Sequence, residues 1–279
     1  MLAQLDGRRS GRAVYVGDNR LLVAIIVGGR EIAYFVEAND RLITPMFVAS
    51  GRYEKAPTRY LLQHLRRDSH CIDVGCNFGY FACLMARFAP AGRIVAVEPE
   101  PGVFGLARDN IAANGFLDSA RVLNVAAGAA RGAMTLHRRD TRSGNTSLYA
   151  YDDHFAASFG ERPATAFAVE CVPVDELAQE LGGRVDFLKV DVEGAEQLVL
   201  QGAERTIGAN PRISILMEWS PGQMEALGFG TADFLAYLDG LGLEAYDLQI
   251  TSRRPIAYAD LARLRYRAAI LLRHRSAKR

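Results

Sequence analysis

The sequence predicts an α/β fold: a parallel sheet covered on both faces by helices, preceded by a small N-terminal β meander. Three observations carry this expectation. From His70 onward, continuous apolar runs such as CIDV and IVAVE alternate with segments whose apolar residues recur at helical spacing. Acidic residues stand at the ends of four of those runs, at Asp73, Glu98, Asp191 and Glu218. Before residue 50, turn pairs instead separate short apolar stretches, as in a meander.

In chain order, residues 1–50 read as a β-rich cap. Asp18-Asn19, Gly28-Gly29 and Asn39-Asp40 separate AVYV, LLVAIIV, IAYFV and LITPMFV, each expected as a strand. Residues 51–279 read as the main domain. GRYEKAPTRYLLQHLRR opens it as a helix with Leu61, Leu62 and Leu65 on its apolar face. CIDV is the first strand, and the helix Tyr80–Phe88 stops before Pro90 and Gly92. IVAVE follows, then a helix that buries Val103, Leu106, Ala107, Asn110 and Ile111 and ends near Gly115. RVLNVAA is expected as one continuous third strand. MTLH and FAVECVPV read as a hairpin, and the polar segment 138–166 between them as a lid over the site. DFLKVD, a helix to Gly202, ISILMEW, a helix from Thr231 to Gly240, and strands at Leu243–Leu248 and Arg267–Leu272 complete the chain.

Composition bounds the function. The 279 residues are 49% hydrophobic and carry a formal net charge of +1, which gives no global drive toward nucleic acid. The longest early apolar run, Leu21–Val27, is far too short to span a bilayer. Four cysteines without a C-x-x-C pair read as buried thiols in a reducing compartment, and with no signal peptide the expectation is cytoplasmic. The basic run Arg263–Arg279 reads as a final strand and solvated tail, with weak peripheral contact to a membrane as the other use of its charge. Oligomeric state stays open.

In an open parallel sheet, ligands bind beyond the carboxyl ends of the strands, where the four acids cluster. The turn Gly75-x-Asn77-x-Gly79 lets backbone approach a ligand, and Glu98 suits the two hydroxyls of a ribose. A dinucleotide would call for G-x-G-x-x-G, and the third glycine is missing. Asp73 would also face a pyrophosphate with no lysine or arginine in the loop to offset it. A ligand with a ribose, no phosphate and a positive amine fits better, and S-adenosyl-L-methionine has those properties.

DVGCNFGYFACLMAR, VAVEPEPGVFGLARDNIAANG, VDFLKVDVEGAEQLVLQGA and PRISILMEWS together resemble the FkbM-type family of methyltransferases, a branch of the class I S-adenosylmethionine-dependent enzymes. The similarity runs from about Arg52 through Trp219 and more weakly beyond. DVEGAE with its trailing V-L-x-G is the family-specific part; Cys76 departs from the small residue common after Gly75. The resemblance implies a Rossmann-like class I methyltransferase sheet, mostly parallel with a closing antiparallel strand. It implies that Asp73, Gly75, Asn77 and Gly79, with the neighbouring Tyr80, hold the methionine moiety. Glu98 and Pro99 would lie at the ribose and Ala126 near the adenine. It further implies methylation of a hydroxyl on a sugar, glycan, glycolipid or secondary metabolite, so a small-molecule or glycan acceptor.

A sulfonium methyl donor needs alignment with its acceptor and a base for one proton. Asp191 is the first candidate base and Glu218 the second. Lys189, two residues before Asp191 and therefore on the same face, either orients an acceptor oxygen or forms an ion pair that organises the loop. Glu193, Ser147 and His154 are candidate acceptor contacts. Asp191, Glu193 and Glu218 can also offer oxygens to Mg²⁺, but no spacing requires it, and no metal is expected. Glu54, just ahead of the first core helix, reads either as a border of the cofactor pocket or as a helix-start charge, with the helix-start charge preferred. A nucleic-acid methyltransferase and a non-catalytic S-adenosylmethionine-binding module remain as alternatives.

Overall fold

The computed structural model describes residues 12–138, 148, 164–250 and 254–276. Arg12–Gly17 (β1), Arg20–Val27 (β2) and Arg30–Glu37 (β3) form the expected antiparallel meander. Turns at Asp18-Asn19 and Gly28-Gly29 place all four residues at positive φ, as two-residue hairpins require. The fourth expected strand is instead a helix, Ile43–Ser50 (α1). Asp40 explains the difference: its Oδ1 accepts the amides of Leu42, Ile43 and Thr44, which fixes a helical turn where a third hairpin was expected. Lys55–His64 (α2) follows.

The main sheet has the order β12-β13-β11-β10-β4-β5-β6. Its strands are Cys71–Val74 (β4), Ile94–Val97 (β5), Ala120–Leu123 (β6), Phe187–Val190 (β10), Ser214–Trp219 (β11), Leu243–Asp247 (β12) and Arg267–His274 (β13). β13 runs antiparallel to both β11 and β12, and the other pairs are parallel. Every residue of β4, β5, β10 and β11 is buried, so the apolar runs are continuous rather than alternating. From β4 the chain winds outward to β5 and β6, then returns to the far side as β10 and β11. The β4–β10 boundary is therefore the switch point at which such sheets bind ligands.

The run RVLNVAA does not form one strand. It breaks at Asn124, whose amide donates to the carbonyls of Glu98 and Pro99. Ala126–Ala127 (β7) then leaves the main sheet and pairs in parallel with Thr165–Val172 (β9), which pairs antiparallel with Gly132–Arg138 (β8). The predicted hairpin thus exists, as part of a separate three-stranded sheet.

Helices Tyr80–Phe88 (α3) and Pro101–Ala113 (α4) join the meander to the main sheet. Tyr34, Phe47, Phe78, Phe81 and Tyr80 belong to one buried apolar cluster, with Tyr34 and Tyr80 stacked at 5.5 Å. The free edge of β3 is closed by side chains. Asn110 accepts the Phe35 amide at 2.6 Å and donates to its carbonyl at 2.9 Å, and Asn114 does the same for Ala33 at 3.1 and 2.7 Å. Asn110 on α4 and Asn114, which caps the helix's C-terminus, stand one helical turn apart and mimic a neighbouring strand. All four cysteines are buried and free.

Candidate active site

A cavity of about 760 Å³ opens over the carboxyl ends of β4, β5, β10 and β11, bordered also by residues of α1, the start of α2 and β7. Gly75, Asn77, Tyr80, Glu98, Pro99 and Ala126 all border it. The turn after β4 is built for a close approach. Gly75 has φ +73°, and a Cβ there would sit 1.8 Å from the carbonyl oxygen of Asp191. Its missing side chain therefore lets the loops after β4 and β10 meet, as well as exposing backbone to the cavity. Asn77 also takes positive φ and accepts the Phe78 amide through its own side chain.

Two predicted cofactor residues are placed otherwise. Gly79 faces α4, where a Cβ would lie 3.3 Å from Ala107, so it serves helix packing. Asp73 lies inside β4 rather than beyond its end, is 0% exposed, and Val74, Gly75 and Cys76 border the cavity in its place. Groups that act on its carboxylate are the Lys189 ammonium and the Ala82 backbone amide. Burial pushes this carboxyl up to about 6, opposed by the Lys189 ammonium on the adjoining strand, in register with it.

Glu98 is buried, and each oxygen accepts one backbone amide, Asn77 at 2.9 Å and Glu100 at 3.0 Å. Burial lifts its carboxyl to about 7, against these two amides. The helix cap is Glu100, which accepts the Val103 amide, so Glu98 is free of capping and keeps a lone pair on each oxygen for a ligand hydroxyl.

On the other side of the switch point, Lys189 donates to Asp191 Oδ2 at 2.7 Å and lies 4.8 Å from the centre of the Phe81 ring. Burial would lower the lysine's pKa, but Asp191, Glu54 and Asp73 around it raise it above the usual range. The ion-pair geometry foreseen for Lys189 and Asp191 is thus present. Glu193, at φ 54°, receives a hydrogen bond from Gln223, and burial followed by the nearby Asp191 charge lifts it to about 8. Glu218 enters from β11 and is 7% exposed. Burial, then Asp191 and Glu193, holds its carboxyl well above the ordinary range. One oxygen each of Asp191, Glu193 and Glu218 lie within 4.8 Å of one another. Ser147, His154 and nearly all of the expected lid 138–166 lie outside the described residues.

Two further residues stand out: Glu54, for which a place at the cofactor pocket was one reading, and Glu196, which sequence reasoning did not single out. Glu54 sits at the cap position of α2 but makes no capping bond; it borders the cavity, with a buried Oε2 that has no partner. Burial pushes it up to about 7, opposed by Lys189. Its signal was the backbone: φ 35°, a left-handed conformation that turns the side chain away from the helix end. Glu196 is fully buried and accepts the amides of Val192 and Gly194, tying together the loop that carries Asp191 and Glu193. The arginines of the C-terminal run are largely engaged within the fold: Arg267 with Asp247, Arg273 with Tyr60, and Arg275 with Asp239.

The model of the methyltransferase FkbM domain matches residues 73–245. Methyltransferase sdnD of Sordaria araneosa is 27% identical over 193 residues, covering 60% of this chain and 74% of that protein. The 2-O-methyltransferase NoeI of Sinorhizobium fredii is 26% identical over 150 residues, covering 50% of this chain and 59% of that protein. The crystal structure of methyltransferase FkbM from Methylobacillus flagellatus superposes with a TM-score of 0.44 at 14% identity, over 75% of this chain and 45% of that one.

Proposed function

The chain belongs to the FkbM methyltransferase family, and we propose that it moves the methyl group of S-adenosyl-L-methionine to a hydroxyl of a small-molecule or glycan acceptor. The observation that carries this reading is the ribose-type carboxylate of Glu98, which borders the cavity beside the Gly75 turn and holds one backbone amide on each oxygen. The Asp73 carboxyl behind that turn faces Lys189, and the turn itself carries no lysine or arginine to receive a phosphate. Similarity to a 2-O-methyltransferase supports oxygen as the acceptor atom.

The bound cofactor supplies an electrophilic methyl group on a sulfonium. The chain's own task is to orient the acceptor and take one proton. Asp191 is held by Lys189 through one oxygen, which suits it to positioning. Glu54 is better placed as the base, because its Oε2 is unpartnered beside the cavity and its pKa lies near neutrality. This assignment moves the base from Asp191, the first choice from sequence, to a residue that sequence had read as a helix-start charge.

The test follows transfer of a labelled methyl group from S-adenosyl-L-methionine to a panel of hydroxylated acceptors, sugars and glycolipids included. Transfer to at least one acceptor is expected. Glu54→Gln should then cut kcat by about 100-fold or more while KM for the cofactor stays within about twofold. The wild-type rate should rise with pH through about 7, as the Glu54 carboxyl loses its proton, and that limb should vanish in the variant. Full turnover by Glu54→Gln would remove Glu54 from the mechanism.

A further inference from the structure

The rim of the cavity differs in kind from its floor. The acids that border the cavity, Glu54, Glu98, Asp191, Glu193 and Glu218, are all buried or half-buried. The bordering residues that are exposed are Met46, Ser50, Lys55, Arg59, Gln249 and Tyr266, a set with cations and large apolar groups but no acid. Their neighbours in sequence extend both traits, since Arg41, Arg265, Leu42 and Ile250 are exposed as well. The apolar part comes chiefly from α1. Its sequence, ITPMFVAS, has no charged residue, and its buried side is Thr44 and Phe47. Leu42 at its cap, Pro45, Met46 and Ala49 are exposed, at the i, i+3 and i+4 spacing of a single stripe. A surface helix ordinarily turns polar groups to water on that side. Leu42 is 50% exposed, Met46 53%, and Tyr266, on the loop before β13, 52%. Apolar groups gathered in water beside cations at the mouth of a cavity mark an interaction surface.

We propose that this rim docks on an anionic lipid bilayer, with Leu42, Met46 and Tyr266 entering the headgroup layer and Arg41, Lys55 and Arg59 meeting lipid phosphates. Shallow apolar insertion and cationic attraction are each weak alone and hold a protein on a membrane together. Lys55 and Arg59 stand one helical turn apart on α2 and therefore share a face. Arg59 also donates to the Leu248 carbonyl at 3.3 Å, which fixes α2 against the chain on the other side of the mouth. The charge fits one sign of partner, because the exposed border offers cations and the acids stay inside the cavity. The position favours a bilayer over a protein. α1, α2 and the loop before β13 all border the entrance, and a protein seated there would close it. A bilayer instead presents its own molecules to the opening. The acceptor hydroxyl then belongs to a lipid-linked molecule, a step that rests on the methyl-transfer reading; the docking does not.

The experiment sediments the full chain with vesicles of phosphatidylcholine, pure or mixed with phosphatidylglycerol, at low and high salt. S-adenosylhomocysteine binding is measured in parallel by calorimetry. Binding to the mixed vesicles is expected, about tenfold or more tighter than to pure phosphatidylcholine, and weakened by salt. Met46→Asp and, separately, Lys55→Glu should each weaken it by about tenfold, with S-adenosylhomocysteine binding kept within about twofold. Both side chains are exposed, so neither change threatens the fold. Absence of binding to the mixed vesicles would overturn the docking, as would binding that neither substitution weakens. A dimer that forms with rising concentration and is lost in Met46→Asp would also overturn it, giving the rim to a second copy of the chain. Loss of vesicle binding with S-adenosylhomocysteine still bound condemns the docking alone, whereas vesicle binding without S-adenosylhomocysteine binding condemns the methyl-transfer reading.

Discussion

At the scale of single residues, Gly75 shows how tightly the binding turn is specified. Its positive φ is a conformation that side chains adopt at a cost, and the space for a Cβ is taken by the Asp191 backbone. Gly75→Ala should therefore destabilise the fold by about 3 kcal/mol or more, read as a lower denaturation midpoint in urea. A variant as stable as the wild type would show that the two loops do not meet as described. The motif Gly75-x-Asn77-x-Gly79 was legible in the sequence as a ligand turn, because glycine and asparagine at such spacing have few other uses. The division of labour within it was not legible. Which glycine faces a ligand and which faces Asp191 or Ala107 depends on loops distant in sequence. The same limit ranked Glu54 as a helix-start charge ahead of a pocket border, since its identity fits both.

At the scale of elements, local pattern foretold most of the main sheet and failed where a side chain redirected the backbone. Tyr80–Phe88 and Thr231–Gly240 form at the bounds expected of them, since apolar periodicity and flanking glycine or proline mark both ends. LITPMFV became α1 because one carboxylate, Asp40, captures three amides. RVLNVAA divided because Asn124 bonds to the neighbouring strand's end. Both are choices between similar propensities settled by one polar side chain. The asparagine pair on α4 offers a direct check. Asn110 was foreseen as buried, but its function as a surrogate strand partner for β3 was not. Asn110→Ala removes three hydrogen bonds, to Phe35 on both its amide and carbonyl and to the Phe78 carbonyl. It should cost about 2–4 kcal/mol, and the Phe35 amide should exchange with deuterium markedly faster. Unchanged exchange at Phe35 would refute the strand-mimic role.

At the scale of the whole molecule, the fold concentrates buried acids at one end of its sheet. Asp73 and Glu98 are raised by burial to about 6 and about 7 from the ordinary 3.8 and 4.5 of these carboxyls. For a carboxyl raised in the folded state, the folded form binds more protons than the unfolded form between the two pKa values. Stability then falls as pH rises through that window. The ligand-free protein should accordingly melt at a lower temperature at pH 8 than at pH 5. Glu98→Gln should flatten the part of that slope between about 4.5 and 7. A melting temperature that rises across this range would contradict the burial of these charges. The arrangement has a functional logic, since a positively charged ligand recovers the energy that the empty cavity lacks.

The central claim is that this cavity takes S-adenosyl-L-methionine through Glu98 and the turn after β4. Calorimetry with S-adenosylhomocysteine, set against NAD and repeated on Glu98→Ala, tests it most directly. One-to-one binding of S-adenosylhomocysteine by the wild type is expected, weakened by about tenfold or more in Glu98→Ala, with no heat from NAD. No binding of S-adenosylhomocysteine, or clear binding of NAD, would contradict it.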